Sequence, residues 1–323
     1  LITGLEAISE QLRNSTFRLS IQRVKREIEG GSSFSDALDR QKKFYSPLIV
    51  NMIRAGEKAG ILPSVLERIS SLLEYDMKTA DQIKAATRYP LIVLYTMIGG
   101  VLALNVWVLP RFAVFFANFK MELPLPTKIL MGTNYIITTY WYWFIALFVS
   151  GGYLIRRVME TEAGRYNYDR LILQVPVLGE LFRKMYLSRF GRMLAAMLGS
   201  GIPILEALTI TANTVDNRVI SRIIIGIRDE VSQGQTLAVP MRGSGIFPPI
   251  SISMVAIGEK VGMLETMLNK MADYFDREVA YTVANLTPLL EPLMIFGLAL
   301  MLLVFALGVF LPMWNVVNIY KAN

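Results

Sequence analysis

Gly56-Glu57-Lys58-Ala59-Gly60-Ile61-Leu62 returns as Gly258-Glu259-Lys260-Val261-Gly262-Met263-Leu264, an offset of 202 residues. The same offset carries Pro90 onto Pro292 and Pro110 onto Pro312. Each proline-to-proline interval encloses an almost uninterrupted apolar run. The chain therefore reads as one polar helical module followed by one hydrophobic helix, written twice. The second glycine of each turn can take positive φ and so close a helix. The first glycine permits close helix approach. Glu57 and Glu259 leave two readings open. Each carboxylate either binds a partner or an ion at an inter-helix edge, or accepts hydrogen bonds from backbone amides at the next helix start.

The chain has 323 residues, 53% of them hydrophobic, with a mean hydropathy of +0.43. That apolar excess lies in three uncharged segments: Leu91–Leu109, about Asn134–Ile155, and Leu293–Leu311. Each approaches the ~20 residues that cross a ~30 Å hydrocarbon layer as a helix. All three are internal, which is not the layout of a cleavable signal peptide. The expected fold is an all-α membrane protein with two homologous cytoplasmic helical bundles and three transmembrane helices. Its parts are a first repeat (1–88), helix 1 (89–110), a periplasmic connection (111–133), helix 2 (134–155), a second repeat (156–288), helix 3 (289–311) and a periplasmic tail (312–323).

The net charge of +7 does not point to nucleic acid, because basic and acidic residues interleave without an aromatic-basic patch. It fits the excess of Lys and Arg on the cytoplasmic side of membrane proteins. Arg156, Arg157, Arg165 and Arg170 follow the second apolar segment directly, and Arg183, Lys184, Arg189 and Arg192 come soon after. The second repeat is therefore expected in the cytoplasm. Three crossings place the N-terminus there too and the C-terminus in the periplasm.

Cysteine and histidine are both absent, which excludes disulfides, Cys/His metal sites and imidazole catalysis. Gly30-Gly31-Ser32 lacks the lysine and spacing of a phosphate loop, and Gly199-Ser200-Gly201 lacks the context of a nucleophile elbow. No cofactor and no enzymatic activity are expected.

Along the chain, Ser9–Glu29 predicts an amphipathic helix carrying Leu12, Phe17, Leu19, Val24 and Ile28 among charges. Gly30–Ser33 stops it, and Ser35-Asp36 is placed to cap the next helix. Tyr45-Ser46-Pro47 and Phe247-Pro248-Pro249 break the chain before the helix that runs into each repeated turn. Helices over about Pro63–Arg88 and Glu265–Thr287 then lead straight into an apolar segment. Leu5-Glu6-Ala7-Ile8 matches Leu205-Glu206-Ala207-Leu208, but only the second copy has a preceding helix, Arg189–Ser200. A counterpart before Leu1 is expected in the complete protein. Phe112, Phe115, Phe116 and Phe119 form an aromatic stripe that either lies in the outer interface or continues the first span. Tyr140-Trp141-Tyr142-Trp143 resemble an interfacial aromatic belt.

Pro90 and Pro292 stand where a polar helix enters an apolar segment. Each removes one helix hydrogen bond and is expected to set the angle between module and stem. Glu291 is the acidic residue bordering a span, and Arg88 holds the comparable edge of the first repeat. Structural or partner-contact roles are expected for both. Proton transfer would need a charged partner in another span.

At these residues the chain resembles the type II secretion system F / type IV pilus PilC-type inner-membrane platform family. The likeness is carried by Arg189-Phe190 with Ser200-Gly201-Ile202-Pro203-Ile204-Leu205-Glu206-Ala207-Leu208, both Gly-Glu-Lys-x-Gly turns, Tyr89-Pro90, and Glu291-Pro292 with Pro312. It implies a non-enzymatic, oligomeric scaffold in the bacterial inner membrane. The implied partners are a cytoplasmic hexameric assembly ATPase, pilins or pseudopilins, and other inner-membrane assembly proteins. A secondary transporter is the alternative. It calls for polar or broken spans near the midplane, whereas Asn105 is the strongly polar residue of the first span.

Overall fold

In the computed structural model, which describes residues 1–108, 110–111 and 125–322, 86% of the residues are helical, with no strand among those described. The aromatic stripe of Phe112, Phe115, Phe116 and Phe119 lies outside the described residues. The first repeat contains α1 (Ile2–Gln11), α2 (Ser15–Glu29), α3 (Phe34–Asp39), α4 (Pro47–Ala59) and the long α5 (Leu62–Ala103), which ends in a π-helical turn, Leu104–Val108. After α6 (Leu125–Met159) come α7 (Glu162–Gln174) and α8 (Leu178–Gly199). The second repeat follows as α9 (Ile204–Thr214), α10 (Arg218–Ser232), α11 (Ala238–Gly243), α12 (Pro249–Val261) and α13 (Leu264–Ala322).

The caps show how closely the two copies agree. Asn14 opens α2 by accepting hydrogen bonds from the Thr16 and Phe17 amides, at 3.0 and 3.1 Å. Asn217 opens α10 in the same way, from the Val219 and Ile220 amides at 2.9 and 3.0 Å. Behind them Phe17, Ile21, Val24 and Ile28 recur as Ile220, Ile224, Ile227 and Val231, one apolar face at i, i+4, i+7 and i+11. Pro47 and Pro249 stand at the first turn of α4 and α12, where the missing N–H is harmless.

Three local expectations need correction. The helix predicted over Ser9–Glu29 is two helices, because Leu12 is extended and Asn14 caps a new start. Leu19 is 52% exposed and Ile21 takes its place in the core. The cap of α3 is Ser33, whose hydroxyl accepts from the Asp36 amide at 3.1 Å, not Ser35-Asp36. The caps also set the register of the first helices. Leu12 and Val215 end α1 and α9 in the same extended conformation, so Leu5 corresponds in the fold to Leu208 and not to Leu205, which its sequence match suggested.

Two units divide the chain. Residues 1–80 and 162–281 form the first, and residues 81–161 and 282–323 form the second. In the first unit the two repeats share one hydrophobic core. Within it α8 buries Phe190, Met193, Leu194 and Met197 completely or nearly so. Phe190 meets Phe247 edge-on at 5.2 Å between ring centroids. Gly191 lies so close to α13 that a Cβ there would fall 2.8 Å from the Met271 methyl.

The second unit holds the apolar parts of α5 and α13, together with α6. Leu62–Val108 and Leu264–Gly308 are long and apolar enough to cross a membrane. Both helices continue through their proline, Pro90 or Pro292, and α13 runs on past Pro312. The segment expected as the second span lies inside α6, which begins nine residues earlier and kinks at Tyr140 (φ −112°, ψ 15°). Thr127 donates to the Gly308 carbonyl at 2.7 Å. Asn134 donates to the Asn105 carbonyl, so polar groups bind α6 to its neighbours here.

Candidate functional site

Three sets of residues carry the functional question: the repeated turns, a polar seam in the first unit, and a groove in the second. At the turns, Gly60 (φ 71°) and Gly262 (φ 69°) are both left-handed. The Ile61 amide donates back to the Gly56 carbonyl at 2.9 Å, and Met263 to Gly258 at 2.8 Å. Each turn folds the next helix tightly against the last. A Cβ on Gly56 would meet Val65 Cγ2 at 2.8 Å, and one on Gly258 would meet Met267 Cβ at 2.9 Å.

The two carboxylates of these turns are engaged. Glu57 accepts from the Phe34 amide (2.6 Å), the Ser35 amide (3.0 Å) and the Ser35 hydroxyl (2.5 Å). Glu259 accepts from the Leu237 amide and from the Ala238 amide at 3.1 Å. Each therefore caps the N-terminus of a short helix, where amides are free and the helix dipole favours an anion. The capped helix is not the one that follows the turn. It is α3 or α11, more than twenty residues upstream. Among the described residues, no group of three or more Asp, Glu, His or Cys is placed to hold a metal ion.

The polar seam joins α5, α8 and α13 within the first unit. The Tyr75 hydroxyl lies 3.1 Å from the Ser188 hydroxyl and donates to Asp276. Arg192 donates to Asp276 and, at 2.8 Å, to Asp273, while its guanidinium stacks 4.6 Å over the Tyr75 ring. Arg189 bridges Asp76 at 3.2 Å and Asp216 at 3.4 Å. Lys184 bridges Glu180 at 2.9 Å and Glu278 at 3.0 Å. Arg68 reaches Glu265 at 2.5 Å, linking the starts of α5 and α13. Burial, reinforced by Asp276, pushes the Tyr75 phenol above its usual range. Burial also opposes the Arg192 charge, but Asp273 and Asp276 outweigh it and raise that group. Burial lifts Asp76 above the usual carboxylate range against the pull of Arg189.

None of Tyr75, Ser188, Asp273 or Asp276 stood out in the sequence. Lys184 and Arg192 stood there only as cytoplasmic charge, and Arg189 as that and as part of the Arg189-Phe190 likeness to the family. In the fold they are committed to acids on α5 and α13, which leaves Arg156, Arg157, Arg165, Arg170 and Arg183 as the exposed basic set. One signal was legible: Arg189 and Arg192 are spaced i, i+3, and so are Asp273 and Asp276.

The groove lies in the second unit between the apolar parts of α5 and α13, with a volume of about 430 Å³. Tyr89 and Glu291 stand at one end of it, Leu104 and Leu302 at the other. It brings together the edges of the two spans. Arg88 is exposed and does not line the groove.

The family model of type II secretion system (T2SS) protein F matches residues 1–110 and 190–312, both repeats with their apolar helices. The chain belongs to this family. It is 38% identical over 319 residues to a type IV pilus assembly protein PilC of Thermus thermophilus, covering 98% of this chain and 78% of that protein. It is 33% identical to the PilC of Myxococcus xanthus, covering 98% and 76%. A type II secretion system protein F of Aeromonas hydrophila is 28% identical over 98% and 81%. The alignments with these relatives extend over 98% of the chain, whereas the family model leaves out Glu180, Lys184, Ser188 and Arg189 of the seam.

Proposed function

We propose that this family member is the non-enzymatic inner-membrane platform of a filament-assembly machine. It couples a cytoplasmic assembly ATPase to polymerisation of pilins or pseudopilins and works as an oligomer. The observation that carries the reading is the match of nearly the whole chain to proteins named for type IV pilus assembly and type II secretion. The higher identities to the pilus assembly proteins favour a pilus. The transporter reading has no support among the relatives. Absence of cysteine and histidine, and the commitment of the two turn carboxylates to helix caps, support a scaffold over an enzyme.

In this reading α5, α6 and α13 each cross the membrane once, and the first unit is cytoplasmic. The exposed arginines in the last turn of α6 and after it support that orientation. The seam is the place where a push on one repeat reaches both long helices. A periplasm-only reporter fused after Asn323 is then active, and one fused near Ser221 is silent. Deleting the gene abolishes surface filaments or secretion, and the chain restores them. Filaments and secretion that persist without the gene overturn the platform. ATP hydrolysis by the purified chain overturns its non-enzymatic character.

A further inference from the structure

Between Glu278 and Lys321 the chain carries a single charged residue, Glu291. Its carboxylate has no hydrogen bond or ion pair among the described residues. A lone carboxylate beside hydrocarbon is costly and is kept where something positive meets it. It sits at the mouth of the groove in the second unit.

The groove has the form of a helix seat. On α13, Glu291, Ile295, Leu298 and Leu302 fall at i, i+4, i+7 and i+11, one straight face. On α5, Tyr89, Val93, Thr96, Gly100 and Leu104 make the facing stripe, roughly 22 Å long at 1.5 Å per residue. Thr96 turns its hydroxyl onto the Ile92 carbonyl at 2.8 Å and so presents an apolar side. A Cβ added to Gly100 meets nothing within 4 Å, so this wall is open to close approach of another backbone. Met97, Met294 and Met301 give the lining a deformable surface, suited to successive partners of differing sequence.

We infer that the groove seats one apolar membrane helix whose end at the Glu291 level carries a positive group, an ammonium or a guanidinium. The inference rests on the platform reading, in which membrane-embedded subunits are handed to a growing filament. It adds what selects them: apolar length along the stripe and one cation at the Glu291 end. The Glu291 charge makes a transient seat, since the pair forms where headgroups and water screen it.

The absence of cysteine makes the test clean. The full chain carrying Ile295→Cys is reconstituted in phosphatidylcholine vesicles with synthetic Leu/Ala membrane helices. Each probe helix bears one cysteine and, four residues away, either Lys or Glu at its end. Disulfide cross-linking is expected to be about tenfold higher for the Lys-ended helix. Glu291→Gln abolishes the preference, and Glu291→Lys reverses it. Equal yields for both probes overturn the seat and leave a groove open to any apolar chain, a lipid tail included. A preference that survives Glu291→Gln overturns it as well, as does no cross-link at all from a cysteine that maleimide still labels. Filament restoration separates this from the platform reading. Restored filaments without charge preference sink the seat alone, and preference without restoration sinks the platform alone.

Discussion

The turn glutamates and Glu291 are the same chemical group in opposite circumstances. Glu57 and Glu259 each hold the free amides of a helix start, and Glu57 takes a hydroxyl as well. Glu291 is the single charge between Glu278 and Lys321, with no hydrogen bond or ion pair among the described residues. Duplication favoured the first pair as the interesting residues, since they occur twice in register. Their hydrogen bonds assign them to the fold. In the proposed seat, the unduplicated carboxylate is the one left for a partner. Repetition in this chain therefore marks what each module needs to close, and departures from repetition mark where the two halves differ in task. The seam makes the same point at Tyr75, which the offset of 202 sets against Arg277.

The largest expected effect tests the turn itself. Gly258→Val drives a branched side chain into Met267 and should destabilise by about 3 kcal/mol, read as loss of the protein from the membrane fraction. A normal level would mean that the turn has slack absent from this geometry.

The seam comes next. Asp276→Asn leaves Arg192 with Asp273 alone and weakens the Tyr75 bond. About 1.5–3 kcal/mol should be lost, seen as a lower thermal midpoint of the purified protein. The sign of its pH dependence follows from the raised groups. Tyr75 and Lys184 have pKa values above their ordinary ones. Their contribution is complete below the unfolded values, near pH 10, and is lost as pH rises through the folded ones. The midpoint should stay level between about pH 7 and 9 and fall above about 10, less steeply in Tyr75→Phe. A fall already at pH 8 would place the weak point elsewhere.

Glu57→Gln and Glu259→Gln are expected to cost about 0.5–2 kcal/mol each, with Glu57→Gln the larger because of the Ser35 hydroxyl. Equal costs would show that the hydroxyl adds nothing. Glu291→Gln should leave the thermal midpoint unchanged, the smallest stability effect of the set.

Much of this fold was legible because its signals are local. The paired glycines of each turn, the proline breaks before α4 and α12 and the uncharged segments all declare themselves within a few residues, whereas the Asn14 and Asn217 caps went unread. The left-handed Gly60 and Gly262 followed from residue type alone. The caps on α3 and α11 were hidden because each joins residues more than twenty positions apart. The seam was hidden for the same reason, since Tyr75, Arg192 and Asp276 come from three helices far apart in sequence. Leu19 misled because its spacing from Leu12 fits a helix that Asn14 in fact restarts.

The most direct measurement is filament yield per molecule of membrane-inserted protein, compared between Glu259→Gln and Glu291→Gln. In Glu259→Gln the yield should fall only as far as the protein level falls, leaving the ratio unchanged. In Glu291→Gln the level should stay normal while the ratio drops. A lowered ratio in Glu259→Gln with a normal one in Glu291→Gln would contradict the account, and would return the repeated turns to the partner interface.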